Sequence, residues 1–200
     1  MMLCVPMFVG AQTLTFTDHE PMGNMRTQVT RQFFRLIEQE SKGRIRIDHH
    51  WNGELSSSYD GYETVREGTK ADMATVVPEY DSQRMPLHQL FKNFLAGPSG
   101  EAQVALIRKA YKTIPELTEE LHHAGIHPVL VATGYPVGFY SREPMADLNA
   151  LKEQTWRTAS FWHISYLENA GATNKRIPWG ERVSDSLRSG AIDGIMVNID

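Results

Sequence analysis

The sequence predicts an α/β fold, with parallel or mixed sheets and helices on both faces. Two observations predict it. The hydrophobic period switches repeatedly between two residues and three to four, and Gly or Pro punctuates most of the switches. Leu14-Thr15-Phe16-Thr17 alternates like a strand. Val29, Phe33, Phe34 and Ile37 then fall on one helical stripe, and Gly43 is placed to stop that helix. Arg44-Ile45-Arg46-Ile47 alternates again, and Asn52-Gly53 signals a turn. Tyr59 to Glu67 reads as a short helix ending at Gly68, and Asp72 to Val77 as a strand closed by Pro78.

From Asp81 to Gly100 the pattern is irregular. Glu101 to Ala124 reads as one long amphipathic helix carrying Val104, Ile107, Tyr111 and Ile114, with Pro115 positioned to end or kink it. Pro128 to Thr133 is apolar and β-branched, the pattern of a buried strand. Trp156 to Ala159 predicts a strand, Trp162 to Ala170 a helix stopped by Gly171, Glu181 to Ser189 a helix stopped by Gly190, and Ile192 to Val197 a final strand. No internal repeat or low-complexity linker stands out.

Composition narrows the function classes. The chain has 200 residues, is 41% hydrophobic and 22% charged, and carries a net charge of −4. That is globular composition, and without a basic stripe it gives no electrostatic reason to expect nucleic acid as a partner. One cysteine, Cys4, leaves no intrachain disulfide and does not decide the compartment. Residues 1–11 are apolar, too short to span a bilayer, and end in Val9-Gly10-Ala11, which fits either the tail of a signal peptide or a frayed first strand.

Enzyme chemistry finds little support. There is no Gly-rich phosphate loop, no H-E-x-x-H and no cysteine pair. Neighbours His49-His50 on a strand face opposite sides, and His122-His123 on a helix lie about 100° apart, so neither pair is a good chelate. Ser160 and His163 lack a nucleophile elbow. No cofactor is expected. Binding is better supported. Arg157 sits in the strand core Thr155-Trp156-Arg157-Thr158, where a buried guanidinium requires either a structural acidic partner or an anionic ligand held by its planar fork. Both alternatives are open at this point. Trp162 and Trp179 are candidate walls of a ligand cleft, although core packing is the commoner role of any single Trp.

Several segments, in order, resemble one family. "SKGRIRIDHHWNGEL", "YETVREGTKADMA", "ADLNALKEQTWRTAS" and "LENAGATNKRIPWGERVSDSLRSGAIDGI" are similar to the successive motifs of the solute-binding subunits of TRAP transporters, the DctP-like family. The resemblance implies two α/β lobes that close on a ligand, a two-lobed periplasmic-binding-protein-like fold: residues 12–130 as lobe I and 131–200 as lobe II, stopping before the hinge helix. It implies delivery of a small organic acid to TRAP membrane permease subunits from the periplasm. It places Arg157 at the arginine that pairs with the ligand carboxylate. It makes His19, Val77, Tyr135 and Asn198 further cleft positions. Many members carry a second arginine where Val137 stands here, and the family asparagine is replaced by Val197 with Asn198 beside it, so the expected cleft is less polar and suited to a monocarboxylate. A periplasmic sensory module, or a truncated receptor without function, is the alternative.

Overall fold

A computed structural model describes residues 10–92, 98–132 and 137–198. The expected signal-peptide tail up to Val9, and Tyr135, lie outside the described residues. The chain divides into two compact α/β units, the first ending at Thr75 and the second beginning at Val76. Among the described residues no helix is long and apolar enough to cross a membrane.

The first unit is a parallel sheet in the order β2-β1-β3. Strand β1, Gln12–Thr17, pairs along its whole length with β2, Ile45–His50. Helix α1, Met25–Glu40, makes the crossover between them. Asn24 caps its first turn by accepting from the Thr27 N–H. Its end is a tight left-handed turn at Lys42 and Gly43, where the Gly43 N–H returns to the Glu38 carbonyl at 2.8 Å. Phe34 is buried and meets Phe16 edge to face at 4.8 Å. The expected stripe is out of phase at one residue. Val29 is 51% exposed, because the face that turns inward runs through Thr27 and Phe34.

Asn52 and Gly53 both adopt positive φ, as the turn signal requires. Helix α2, Gly61–Glu67, stops at left-handed Gly68. Strand β3 is only Met73–Ala74, shorter than the expected 72–77. Its neighbour β1 turns away after Thr17, so Thr75 makes the last bond to it and Val76 has no ladder to join. The turn after β1 is fixed by Asp18, buried and gripped by the Arg26 guanidinium at 2.6 and 3.0 Å, the Thr75 hydroxyl at 2.6 Å and the Glu20 N–H at 2.8 Å.

The second unit begins with two 3-10 turns, Pro78–Tyr80 and Leu87–Lys92. The long helix expected over 101–124 is two helices, α3, Gly100–Thr113, and α4, Pro115–His123. Pro115 drives Ile114 out of the helical region, to φ −123° and ψ 85°, and then starts α4 at its first position. The apolar stretch from Pro128 is not a strand in its described part, up to residue 132. Val129, Leu130 and Val131 are 58%, 53% and 42% exposed. Apolar, β-branched composition reports a demand for cover; a strand also needs a neighbouring ladder, and none of the described residues supplies one there.

The second sheet has the order β4-β7-β5-β6. Its strands are β4, Val137–Ser141, β5, Thr155–Arg157, β6, Thr173–Asn174, and β7, Gly194–Asn198. β4 runs antiparallel to β7, and the other pairs are parallel. Helices α5, Phe161–Asn169, and α6, Glu181–Ser189, complete it. One apolar cluster holds Leu151, Trp156, Leu167, Ala172 and Met196; another holds Ile177, Val183 and Ile192 with Trp179 against it.

Both sheets use the same clamp. In the first, Asp72 accepts from the Thr15 N–H at 2.8 Å while its own N–H donates to the Thr15 carbonyl at 2.9 Å. In the second, Asp193 accepts from the Thr155 N–H at 2.8 Å and donates to the Thr155 carbonyl at 2.7 Å. Each aspartate follows a helix closed by a left-handed glycine, Gly68 or Gly190. The clamp therefore sets the register at which β3 and β7 join their sheets, and with it the strand carrying Trp156 and Arg157.

Two predictions follow from this packing. A Cβ at Gly194 would lie 2.6 Å from the Trp156 ring. Gly194→Ala therefore destabilises the second unit by about 2 kcal/mol, measurable by equilibrium unfolding. Burial alone would push Asp18 up, but Arg26, Thr75 and the Glu20 N–H outweigh it and hold the carboxyl below its usual range. The stabilisation is thus complete above about pH 3.9, the unfolded value, and disappears as pH falls through the lower folded value. Asp18→Asn costs about 3 kcal/mol at neutral pH and flattens the acid limb of the stability profile.

Candidate functional site

On β5, Trp156 and Arg157 point to opposite faces of the sheet. Trp156 fills the larger apolar cluster. Arg157 enters the other side and is 2% exposed. Its Nε donates to the Ile177 carbonyl at 2.9 Å, and its Nη2 donates to the Tyr80 hydroxyl at 3.3 Å. Its Cζ lies 5.3 Å from the centre of the Trp179 ring, in cation–π range. Each partner has a reason for its position. Ile177 is anchored in the cluster with Val183 and Ile192, so its carbonyl is held still. Trp179 follows Pro178 and packs on the same cluster. Tyr80 ends the 3-10 turn whose first residue, Pro78, supplies a preset φ.

No carboxylate among the described residues stands within ion-pair distance of Arg157. A carbonyl dipole, a phenol oxygen and a ring face are partial compensation only. Burying a guanidinium without an anion is costly, so the niche is chemically suited to an anion. A planar carboxylate matches the fork in two parallel hydrogen bonds.

The other sequence-selected positions are placed as follows. Val77 is extended and immediately precedes the turn bearing Tyr80, whose N–H donates back to the Val77 carbonyl at 3.0 Å. Trp162, on α5, is 37% exposed and donates from Nε1 to the Gln89 carbonyl at 3.0 Å. Asn198 ends β7 opposite Val137 of β4. His19 belongs to the first unit, buried 3.7 Å from the Asp18 carboxylate. The structure thus brings Arg157 and Trp179 into contact, and ties Trp162 to the same neighbourhood through Gln89.

Sequence reasoning missed Tyr80, Gln89 and the Ile177 carbonyl. Tyr80 had a weak signal, a hydroxyl-bearing aromatic just after a strand-closing proline; a backbone carbonyl has none. It also missed a buried cluster in which the Glu120 carboxylate meets the Leu87 N–H at 2.7 Å, the His88 N–H at 3.2 Å and His88 Nδ1. His88 Nε2 in turn meets the Tyr111 hydroxyl at 2.6 Å. Burial, aided by the Glu120 charge, pushes Tyr111 up to about 12. Tyr111 therefore stays protonated at neutral pH and is not a nucleophile. The cluster is a brace that fastens the Leu87–Lys92 turn to α3 and α4.

A surface groove of about 510 Å³ lies between residues 175–178 and α6, walled by Lys175, Arg176, Arg182 and Asp185. It is open and its charged walls are already solvated, so it lacks the enclosure that would strengthen an ion pair. Arg157 is the stronger candidate.

Comparison with solved structures places this architecture. The chain is similar to a TRAP periplasmic solute-binding protein from Sulfitobacter sp. NAS-14.1 with bound β-D-galacturonate, at 16% identity and TM-score 0.78, over 93% of this chain and 61% of that one. It is similar to a Bordetella pertussis extracytoplasmic solute receptor binding pyroglutamic acid, at 25% identity and TM-score 0.81, over 94% and 60%. A TRAP periplasmic solute-binding protein from Roseobacter denitrificans with bound β-D-glucuronate matches at 15% identity and TM-score 0.80, over 93% and 61%. The chain thus spans about three fifths of the length of these relatives. No curated protein matches it significantly. Residues 16–200 match the model of one protein family, so the chain belongs to the bacterial extracellular solute-binding proteins, family 7.

Proposed function

We propose that this chain is the ligand-capturing part of a TRAP transporter's extracytoplasmic receptor, and that it binds a small organic acid through Arg157. The observation that carries the reading is a guanidinium 2% exposed, with no carboxylate partner among the described residues, held between the Tyr80 hydroxyl and the Trp179 ring. Family membership supports the receptor class, and the acids bound by the similar solved receptors support the ligand class.

In this reading the ligand carboxylate supplies the missing anion. Exclusion of water lowers the local dielectric and strengthens the pair. Trp179 forms an apolar wall. Val77, Tyr135, Asn198 and His19 are the further contact positions that the family pattern implies, and Trp162 is a further wall by its aromatic chemistry. The protein works in the periplasm, hands its ligand to membrane permease subunits, uses no cofactor and performs no catalysis. The reading as lobe I over 12–130 and lobe II over 131–200 belongs to the same proposal.

Calorimetry on the full-length protein with pyroglutamate, D-galacturonate and D-glucuronate tests it. At least one of these acids binds the wild type. Arg157→Ala weakens that binding by about 100-fold, the loss typical when one partner of a buried charged pair is removed. Arg157→Lys restores only part, because a point charge cannot make the two parallel bonds. Unchanged affinity in Arg157→Ala would sink the assignment.

A further inference from the structure

We propose that Gln89 is a positioning residue for the Arg157 site, acting through Tyr80; the inference rests on the carboxylate-receptor reading above. The Gln89 side chain is 4% exposed, and its Nε2 donates to two carbonyls, Pro78 at 2.8 Å and Met85 at 3.0 Å. Those two acceptors fix the orientation of the carboxamide, since only its NH₂ can serve them. The consequence is visible at the other end, where Oε1 is buried without a hydrogen-bond partner. A desolvated acceptor without a donor is destabilising, so the side chain favours the fold only through the two carbonyls it grips.

What it grips is the turn that carries Tyr80. The Pro78 carbonyl also closes the 3-10 turn by accepting from the Asp81 N–H at 3.0 Å, and the Tyr80 hydroxyl reaches Arg157 Nη2 from the end of that turn. Gln89 is itself immobilised. Its backbone carbonyl accepts from Trp162 Nε1, and the preceding residues Leu87 and His88 are bound by Glu120. A run of hydrogen bonds joined by short stretches of backbone therefore leads from the Glu120–His88–Tyr111 brace through Gln89 and Pro78 to Tyr80 and one arm of the guanidinium. The Ile177 carbonyl holds a second nitrogen of Arg157 independently, on the side of the smaller apolar cluster. Two fixed contacts leave the fork one orientation, which a planar carboxylate requires. If Gln89 lets go, Tyr80 swings and the fork gains a degree of freedom.

A double-mutant cycle tests this, read by calorimetry with whichever of pyroglutamate, D-galacturonate and D-glucuronate binds the wild type most tightly. Gln89→Met keeps the volume and removes both donors. It lowers affinity about tenfold in the wild-type background and less than about twofold in the Tyr80→Phe background, where the contact it positions is already gone. A merely structural role would cost the same in both backgrounds, and additive losses overturn the proposal. Gln89→Asn, which keeps the carboxamide one methylene too short to span both carbonyls, repeats the cycle should the methionine variant fold poorly. Amide exchange supplies a readout without ligand: the Tyr80 and Asp81 N–H groups exchange faster in Gln89→Met while β5 is unchanged, and unaltered exchange at those two amides overturns the idea. If the acids bind and depend on Arg157 but the cycle is additive, only the role of Gln89 falls. If none of the three acids binds the wild type, the receptor reading fails and this inference falls with it.

Discussion

The constraint on which the second unit depends is the burial of one cation. A guanidinium taken out of water needs an anion or a full set of acceptors. The fold gives Arg157 one good acceptor, one long hydrogen bond and a ring face. Everything within reach is arranged to hold that side chain still. The Ile177 carbonyl is anchored by an apolar cluster, Trp179 packs on the same cluster, and Tyr80 sits on a turn preset by proline. No described residue within reach neutralises it. Rigid geometry with incomplete charge compensation is what a receptor for a small anion requires, because the binding energy then resides in the ion pair and not in reorganising the site.

The sheet that carries Arg157 is held in register by a carboxylate at its rim. Asp193 binds both the N–H and the carbonyl of Thr155, two residues before Arg157, and Asp72 does the same to Thr15 in the first unit. A register slip of one residue would exchange Trp156 and Arg157 between faces. Gly194, directly after Asp193, leaves the space that the Trp156 ring occupies. Clamp and glycine together therefore decide that the indole lies in the larger apolar cluster and the guanidinium on the opposite face, against Ile177 and Tyr80.

Much of this was legible in the sequence. Period-two runs located β1 and β2, strands were also expected where β5 and β7 lie, and left-handed glycines at 68 and 190 ended the helices they were read to end. Pro115 broke α3 from α4 by a rule that acts on the preceding residue alone. What failed depended on distant neighbours. The run from Pro128 has strand composition but no ladder among the described residues, and β3 is cut short because β1 leaves it. Strand β6, two residues long, carries no periodic signal at all. At the candidate site, Arg157 stood out because charge inside an apolar strand is anomalous and Trp179 because it is aromatic, and the structure puts the two in contact. Tyr80 and Gln89 were not, since their importance lies in hydrogen bonds to backbone carbonyls that no residue pattern encodes. The repeated Gly-to-Asp clamp was readable in principle, yet its two copies differ by one residue in spacing and escape a search for fixed repeats.

The first unit offers an internal standard for judging Arg157. Asp18 is as deeply buried, at 1% exposure, but its carboxylate receives both arms of Arg26, the Thr75 hydroxyl and the Glu20 N–H. Both oxygens are engaged, a counter-charge is present, and the carboxyl is held below its usual range although burial pushes the other way. That is how this chain treats a buried charge whose task is structural. Arg157 receives no counter-charge among the described residues, and Nη1 donates to none of them. The same fold that neutralises one buried ion leaves the other without a carboxylate partner among the described residues. A structural arginine can be satisfied by a single carboxylate, as Asp18 is satisfied by Arg26, so the incomplete compensation at Arg157 is the feature that supports its proposed role in holding an anion.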